Sequence, residues 1–176
     1  MHPKLRQWSR KIHLWFALLI IVPSLVVIGT GILLQVKKQS DWIQPPTLTG
    51  MSQVPRLAFS EILEVAQGIP QLEVQTWADI DRLDIRPGKG IVKIQAKNHW
   101  EVQIDAANKT VLHVAFRRSD IIESLHDGSW FADAAKLWVF LPAGIILFFI
   151  WCTGGILLYT TLKSKLKKST ARDARR

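Results

Sequence analysis

Two uncharged runs, Ile12 to Val36 and Leu137 to Thr161, bracket a polar stretch of about a hundred residues. Each holds 25 residues without Asp, Glu, Lys or Arg. At about 1.5 Å per residue either run can cross a hydrocarbon layer of about 30 Å. Helices of a soluble core are rarely so long and so free of charge. The pattern predicts transmembrane helices over 12–36 and 137–161. Between them, Gln44-Pro45-Pro46-Thr47 predicts an extended linker across 37–56, because each proline disfavours helix at the residue before it. In LAFSEILEVAQ, residues 57–67, Phe59, Ile62, Leu63 and Ala66 share one helical face, and Gly68 follows as a stop.

From Arg82 the period changes to two. Leu83 and Ile85 alternate with charge, Gly88-Lys89-Gly90 supplies a hairpin turn, and Val92, Ile94 and Ala96 alternate with Lys93, Gln95 and Lys97. After a turn at Asn98-His99, Trp100, Val102 and Ile104 alternate with Glu101, Gln103 and Asp105. A third turn at Ala106 to Lys109 leads to Leu112, Val114 and Phe116. This is a four-stranded antiparallel meander, and its apolar face needs a cover, for which the helix at 57–67 is the candidate. A last short helix is predicted from Asp120, with Glu123 completing a capping box, to Gly128; Ile121, Ile122 and Leu125 on it can pack on that core or on the membrane. The expected fold is thus an α+β membrane protein, in which two spans flank one small domain over 57–130.

Charge orients the spans. The net charge is +9, but Lys4, Arg6, Arg10 and Lys11 precede the first run, while Lys163, Lys165, Lys167, Lys168, Arg172, Arg175 and Arg176 follow the second against Asp173 alone. The tails 1–11 and 162–176 therefore carry +4 and +6, leaving −1 between them. An excess confined to tails that abut spans argues against nucleic acid as a partner and places both ends in the cytoplasm, with the domain outside. The C-terminal tail would also attract anionic lipid. Lys37 and Lys38, just past the first run, go against the rule but are outnumbered. The first run is too long for a signal-peptide core of about 7–15 residues and lacks a small-x-small cleavage site, so it reads as a retained anchor. Trp8, Trp15, Trp42, Trp130, Trp138 and Tyr159 fall near the two expected interfaces.

Small residues at Gly29 and Gly31, and at Ala143, Gly144, Gly154 and Gly155, predict a close antiparallel contact of the two spans. Pro23 and Pro142 are candidate bends. The lone Cys152 lies in a span and cannot make an intrachain disulfide. His13 is an ionisable side chain at the edge of an apolar core, where imidazoles serve as ligands or proton carriers or sit among headgroups. His99 and His113 have no metal-like spacing to another His or Cys, His126 and Asp127 splay apart at a helix end, and all three histidines read as solvated surface groups.

The order of helix then sheet, ending in EVQIDAANKTVLHV, resembles the PepSY domain. RKIHLWFALLIIVPSLVVIGTGILL resembles the first helix of PepSY-associated transmembrane proteins, and LHDGSWF followed by TGGILLY resembles their closing helix. The resemblance implies a bacterial inner-membrane protein with a periplasmic domain. Larger members tied to iron uptake resemble haem-bearing siderophore reductases, which would make His13 and His126 candidate haem ligands. About 30 Å of hydrocarbon would separate these two, so they cannot share one iron. A bis-imidazole haem would need His13 from two copies, as in a homodimer, or a partner chain. The expected role is a non-catalytic accessory or regulatory subunit that binds a membrane or periplasmic protein, with strand edges suited to such binding. The alternatives are haem-dependent electron transfer at the level of His13 and modulation of an extracytoplasmic protease.

Overall fold

The computed structural model describes residues 3–173, with side chains for Trp8 and from Arg10 to Lys165. The outermost basic residues of both tails, Lys4, Arg6, Lys167, Lys168, Arg172, Arg175 and Arg176, have side chains outside that description, and so does their expected role in orientation. The chain forms two units, one of residues up to Thr30 and from Ser124, the other of Gly31–Glu123.

The second unit holds helix α2 (Phe59–Gln67) and strands β1 (Ile80–Arg86), β2 (Ile91–Ala96), β3 (Trp100–Asp105) and β4 (Val111–Phe116) in one sheet of order β1-β2-β3-β4. All three pairings are antiparallel, so the predicted meander is present. The register sets Val92 opposite Ile104 and Ile94 opposite Val102. These four join Ile62 and Ala66 of α2, with Leu72 and Val74 from the following turns, in the apolar core. Alternation fixes this face, because a one-residue slip would turn every one of these side chains away from α2. Helix α2 starts without a capping side chain at Ala58; instead Glu61 accepts the Ala58 N–H at 2.8 Å. The hairpin turns end in left-handed residues, Gly90 in the first, His99 in the second and Lys109 in the third.

The opposite face of the sheet is covered as well. The 37–56 segment, expected as an extended linker, is bonded as a strap to β3 and to the turn before β2. The Gln103 amide donates to the Pro46 carbonyl at 2.7 Å and accepts from the Leu48 N–H at 3.0 Å. The Gly50 N–H donates to the Lys89 carbonyl at 2.8 Å, and the Met51 N–H to the Asp105 carboxylate. Proline cannot complete a ladder, yet its carbonyl still accepts, which is how an extended Pro-Pro segment finds partners on a sheet face. Arg118 closes the strap's start by lying over the Trp42 ring, 4.7 Å from its centroid.

Helix α3 (Arg118–Asp127) begins two residues before its predicted start. Asp120 therefore lies in the first turn rather than at the cap, and its carboxylate is taken by Arg117 and Gln95. Glu123 forms no capping box with it; it pairs with Lys37 at 2.7 Å. The tertiary ion pairs outbid the local cap.

In the other unit, α1 (Pro3–Gln35) runs as far as Thr30 before entering the domain unit, and α5 (Leu141–Asp173) follows a short turn α4 (Asp133–Ala135) and one π turn over Lys136–Phe140. Pro142 lacks the N–H that would bond the Trp138 carbonyl, which explains a widened turn just before it. Helices Arg10–Gln35 and Asp133–Lys165 are long and apolar enough to span a membrane. On α1 the less exposed positions His13, Ala17, Ile20, Ser24, Val27 and Thr30 recur every three or four residues, as one face of a helix requires. Ala143, Ile150, Thr153 and Leu157 make the matching face on α5. The predicted antiparallel contact exists, since His13 near the start of α1 meets Thr153 well along α5. The glycines do not make it. A Cβ built on Gly29, Gly144, Gly154 or Gly155 would have no neighbour within 4 Å, and Gly31 is only half-buried. Ala, Ser and Thr are small enough for the approach and leave the glycines on outward faces.

The segment leading into the second span is tied by Asp127, which accepts from the Ser129 N–H and hydroxyl at 2.9 and 2.6 Å and pairs with Lys136 at 2.6 Å. The Lys136 hydrogen bond and then those from Ser129 pull its pKa down to about 2. A depressed carboxylate stabilises the fold above its unfolded pKa and loses that contribution as pH falls. Between about pH 4 and pH 2 the wild type should therefore lose stability, by about 1 kcal/mol once solvent screening of this partly exposed pair is allowed for. Thermal melting of Asp127→Asn should lack this part of the acid limb; an unchanged limb would assign it to other carboxylates.

Candidate functional site

The polar row that alternates with the core is packed under the strap and the start of α3. Lys93 and Glu101 are 3 % and 2 % exposed, values that ordinary surface lysine and glutamate never reach. Burying charges in this way is costly unless each is paired. Here they are: Lys93 Nζ donates to Glu101 Oε1 at 3.2 Å, and Arg117 Nη1 to Glu101 Oε2 at 2.6 Å. Arg117 Nε also donates to Asp120 at 3.2 Å, and Gln103 Nε2 to Glu101 at 2.9 Å. The Gln95 amide bridges Asp120 and Arg82, accepting from the Arg82 guanidinium at 2.7 Å.

Burial pushes the Lys93 pKa below the ordinary lysine range against the pull of Glu101. Burial opposes charge on Arg117 too, but there the Glu101 hydrogen bond and the Asp120 and Glu101 charges outweigh it, and the pKa is raised. Glu101 is thus one carboxylate held between two cations. The space among Arg82, Lys93, Glu101 and Arg117 is about 10 Å³, room for one water and for no substrate. The arrangement is that of a structural ion cluster that pins strap, sheet and α3 together. Its signature in the sequence is a second row carrying Lys93, Glu101 and Gln103, followed by Arg117 and Asp120 three apart, which alternation does not reveal because it assigns a cover to the apolar face only.

The histidines are dispersed. His13 Nδ1 lies 3.5 Å from Thr153 Oγ1, in the seam between α1 and α5. His126 Nδ1 lies 3.0 Å from Thr30 Oγ1, whose hydroxyl also reaches the Val26 carbonyl at 2.6 Å. His126 is therefore engaged with α1 and is not the solvated group expected. His113 is half-buried, with Nδ1 lacking a hydrogen-bond partner, again unlike a surface residue. His99 is half-exposed, 4.0 Å from Asp120 and edge-on to the Phe116 ring, so it is only partly the solvated group expected. Thr30 is 17 positions beyond His13, about 25 Å along the helix. Since each imidazole is fixed near its own threonine, His13 and His126 of one chain do not fit as the two axial ligands of one haem. Among the described residues no three His, Cys, Asp or Glu side chains come together in a group able to hold a metal ion.

Residues 10–176 match the family described as the PepSY-associated TM region. The chain belongs to the PepSY-associated transmembrane family. That match covers both spans and everything between them, so this PepSY-associated protein is a membrane protein with two spans around an α+β domain. No curated protein and no solved structure gives a significant match to it.

Proposed function

We propose that this PepSY-associated chain is a non-catalytic accessory subunit of the bacterial inner membrane, with both termini cytoplasmic, whose periplasmic domain binds a partner protein by strand addition at β4. The carrying observation is the asymmetry of the sheet's two edges. Strand β1 bears Asp81, Arg82, Asp84 and Arg86, the charged dressing that discourages edge pairing. Strand β4, VLHVAF, carries no Asp, Glu, Lys or Arg, and among the described residues its outer backbone pairs with no other element. An uncharged open edge is what an extended partner segment pairs with. A photo-crosslinking residue at His113 of the full-length chain in native membranes should capture one protein, and the same probe at Asp84 should not. Equal capture at both positions, or none at His113, would refute the reading.

A second reading, haem-dependent electron transfer, draws on the imidazole of His13 within the seam of two apolar helices. It requires a ligand from a second copy or a partner chain. Purified membranes should then show a haem absorption band that His13→Ala abolishes; a colourless wild type would exclude it for the isolated protein.

A further inference from the structure

A groove of about 450 Å³ opens on the domain, within the range of small-molecule sites. It lies between the residues that follow α1 and the outer side of β1. Lys37, Lys38, Arg82 and Arg86 line it, against the carboxylates of Asp84 and Glu123, which leaves a surplus of two positive charges. Arg117 on its floor is already neutralised by Glu101 and Asp120. Lys37 pairs with Glu123 and Arg86 with Asp84, both at 2.7 Å. Among the described residues Arg82 and Lys38 have no carboxylate partner, Arg82 meeting only the neutral Gln95 amide. One further polar atom stands apart: Gln44 Oε1, at the same groove, is buried and has no hydrogen-bond donor. Unpaired cations beside an orphaned acceptor call for a ligand carrying both an anion and a hydrogen-bond donor.

The position of Lys37 and Lys38 selects the source. They come two and three residues after the end of α1, which places them at the depth of the lipid headgroups. We infer that the groove binds the phosphate of a glycerophospholipid headgroup, with Arg82 and Lys38 on the phosphate oxygens and Gln44 Oε1 accepting from a headgroup hydroxyl. This gives Lys38, one of the two lysines that contradict positive-inside bias, a use at the outer surface. The inference shares the outward placement of the domain with the proposed function but is independent of strand addition at β4.

The test uses the full-length chain in neutral detergent, titrated with phosphatidylglycerol and read by native mass spectrometry and thermal shift. Both basic tails are kept in every variant, so their contribution cancels. One phosphatidylglycerol should stay bound to the wild type, and Lys38→Gln with Arg82→Gln should weaken it about tenfold, while Arg82→Lys weakens it less. Lys38 is exposed, so Lys38→Gln alone, expected to weaken binding severalfold, remains informative if the double variant fails to fold. Equal retention by wild type and variants would overturn the site. Equal protection by millimolar inorganic phosphate or glycerol phosphate would overturn the lipid as its source. Crosslinking at His113 should be unchanged in Lys38→Gln, so loss of lipid and loss of partner are separately visible.

Discussion

Glu101→Gln is expected to destabilise the domain by about 3–5 kcal/mol, the magnitude that follows when one partner of a buried ion pair is removed. The carboxylate is 2 % exposed and answers two cations at once. Neutralising it leaves Arg117 with Asp120 alone and Lys93 with no acid in contact. The loss should appear as a lower midpoint of denaturation, measured on the full-length chain by the circular dichroism of its sheet. It should also be pH-dependent, with a sign that burial dictates. Lys93 already has a depressed pKa, and without Glu101 the depression deepens. A lysine whose folded pKa lies below its unfolded one binds more protons when unfolded, so stability rises with pH through that window. Glu101→Gln should therefore recover part of its deficit in alkali. A deficit independent of pH would mean that Lys93 is not the charge left stranded.

The converse substitution should be mild. Lys93→Met removes a cation whose burial is itself unfavourable, and leaves Glu101 bonded to Arg117 and Gln103. A change within about 1 kcal/mol of wild type is expected, since Arg117 still compensates Glu101 and no buried charge is left unpaired. The double variant Lys93→Met, Glu101→Gln should then be less destabilised than the sum of the two singles, because the stranded lysine is gone. Strict additivity would place the two residues outside one network.

Periodicity made the fold legible. The two spans announced themselves by length and absence of charge, and the meander by an alternation that held from Leu83 to Phe116 with turn residues where the strands end. What the sequence hid was whatever lay between elements. The strap carries Pro45, Pro46 and no periodic pattern, so nothing local says that its carbonyls and N–H groups will meet Gln103 and Asp105 some fifty residues later. Of the small residues expected in the helix seam, Ala143 lies in it and the glycines do not, for a related reason. Glycine, alanine, serine and threonine all permit close approach, and the choice among them is set by which face turns inward, a phase that composition does not carry. His126 was misread because its partner, Thr30, is 96 residues away. Each of these is a non-local pairing of polar groups, which no window of neighbouring residues encodes.

The strap's dependence on one left-handed glycine gives the other large effect. Gly90 has φ +65°, and a Cβ there would stand 2.2 Å from the Ser52 carbonyl oxygen, a backbone atom that cannot rotate aside. Gly90→Ala combines the left-handed penalty of about 1–2 kcal/mol with displacement of the strap, and a total of about 2–4 kcal/mol is expected. Gly50 meets the same contact from the other side, its Cβ falling 2.1 Å from the Gly90 carbonyl oxygen. That oxygen also accepts the Ala106 N–H at 2.9 Å, so it cannot retreat without opening the end of β3. Gly50→Ala should consequently be nearly as damaging, although its backbone is not left-handed. Gly88, two residues before the turn's end with nothing within 4 Å, is the matched control, and Gly88→Ala should be close to neutral. Hydrogen exchange separates strap loss from general unfolding. In Gly90→Ala the Met51 amide, bonded to Asp105 in the wild type, should exchange faster by one to two orders of magnitude, while amides within the β2–β3 ladder keep most of their protection. Protection lost equally across the sheet would show that the strap and the meander unfold as one, and that the glycine contact holds the whole domain rather than its cover.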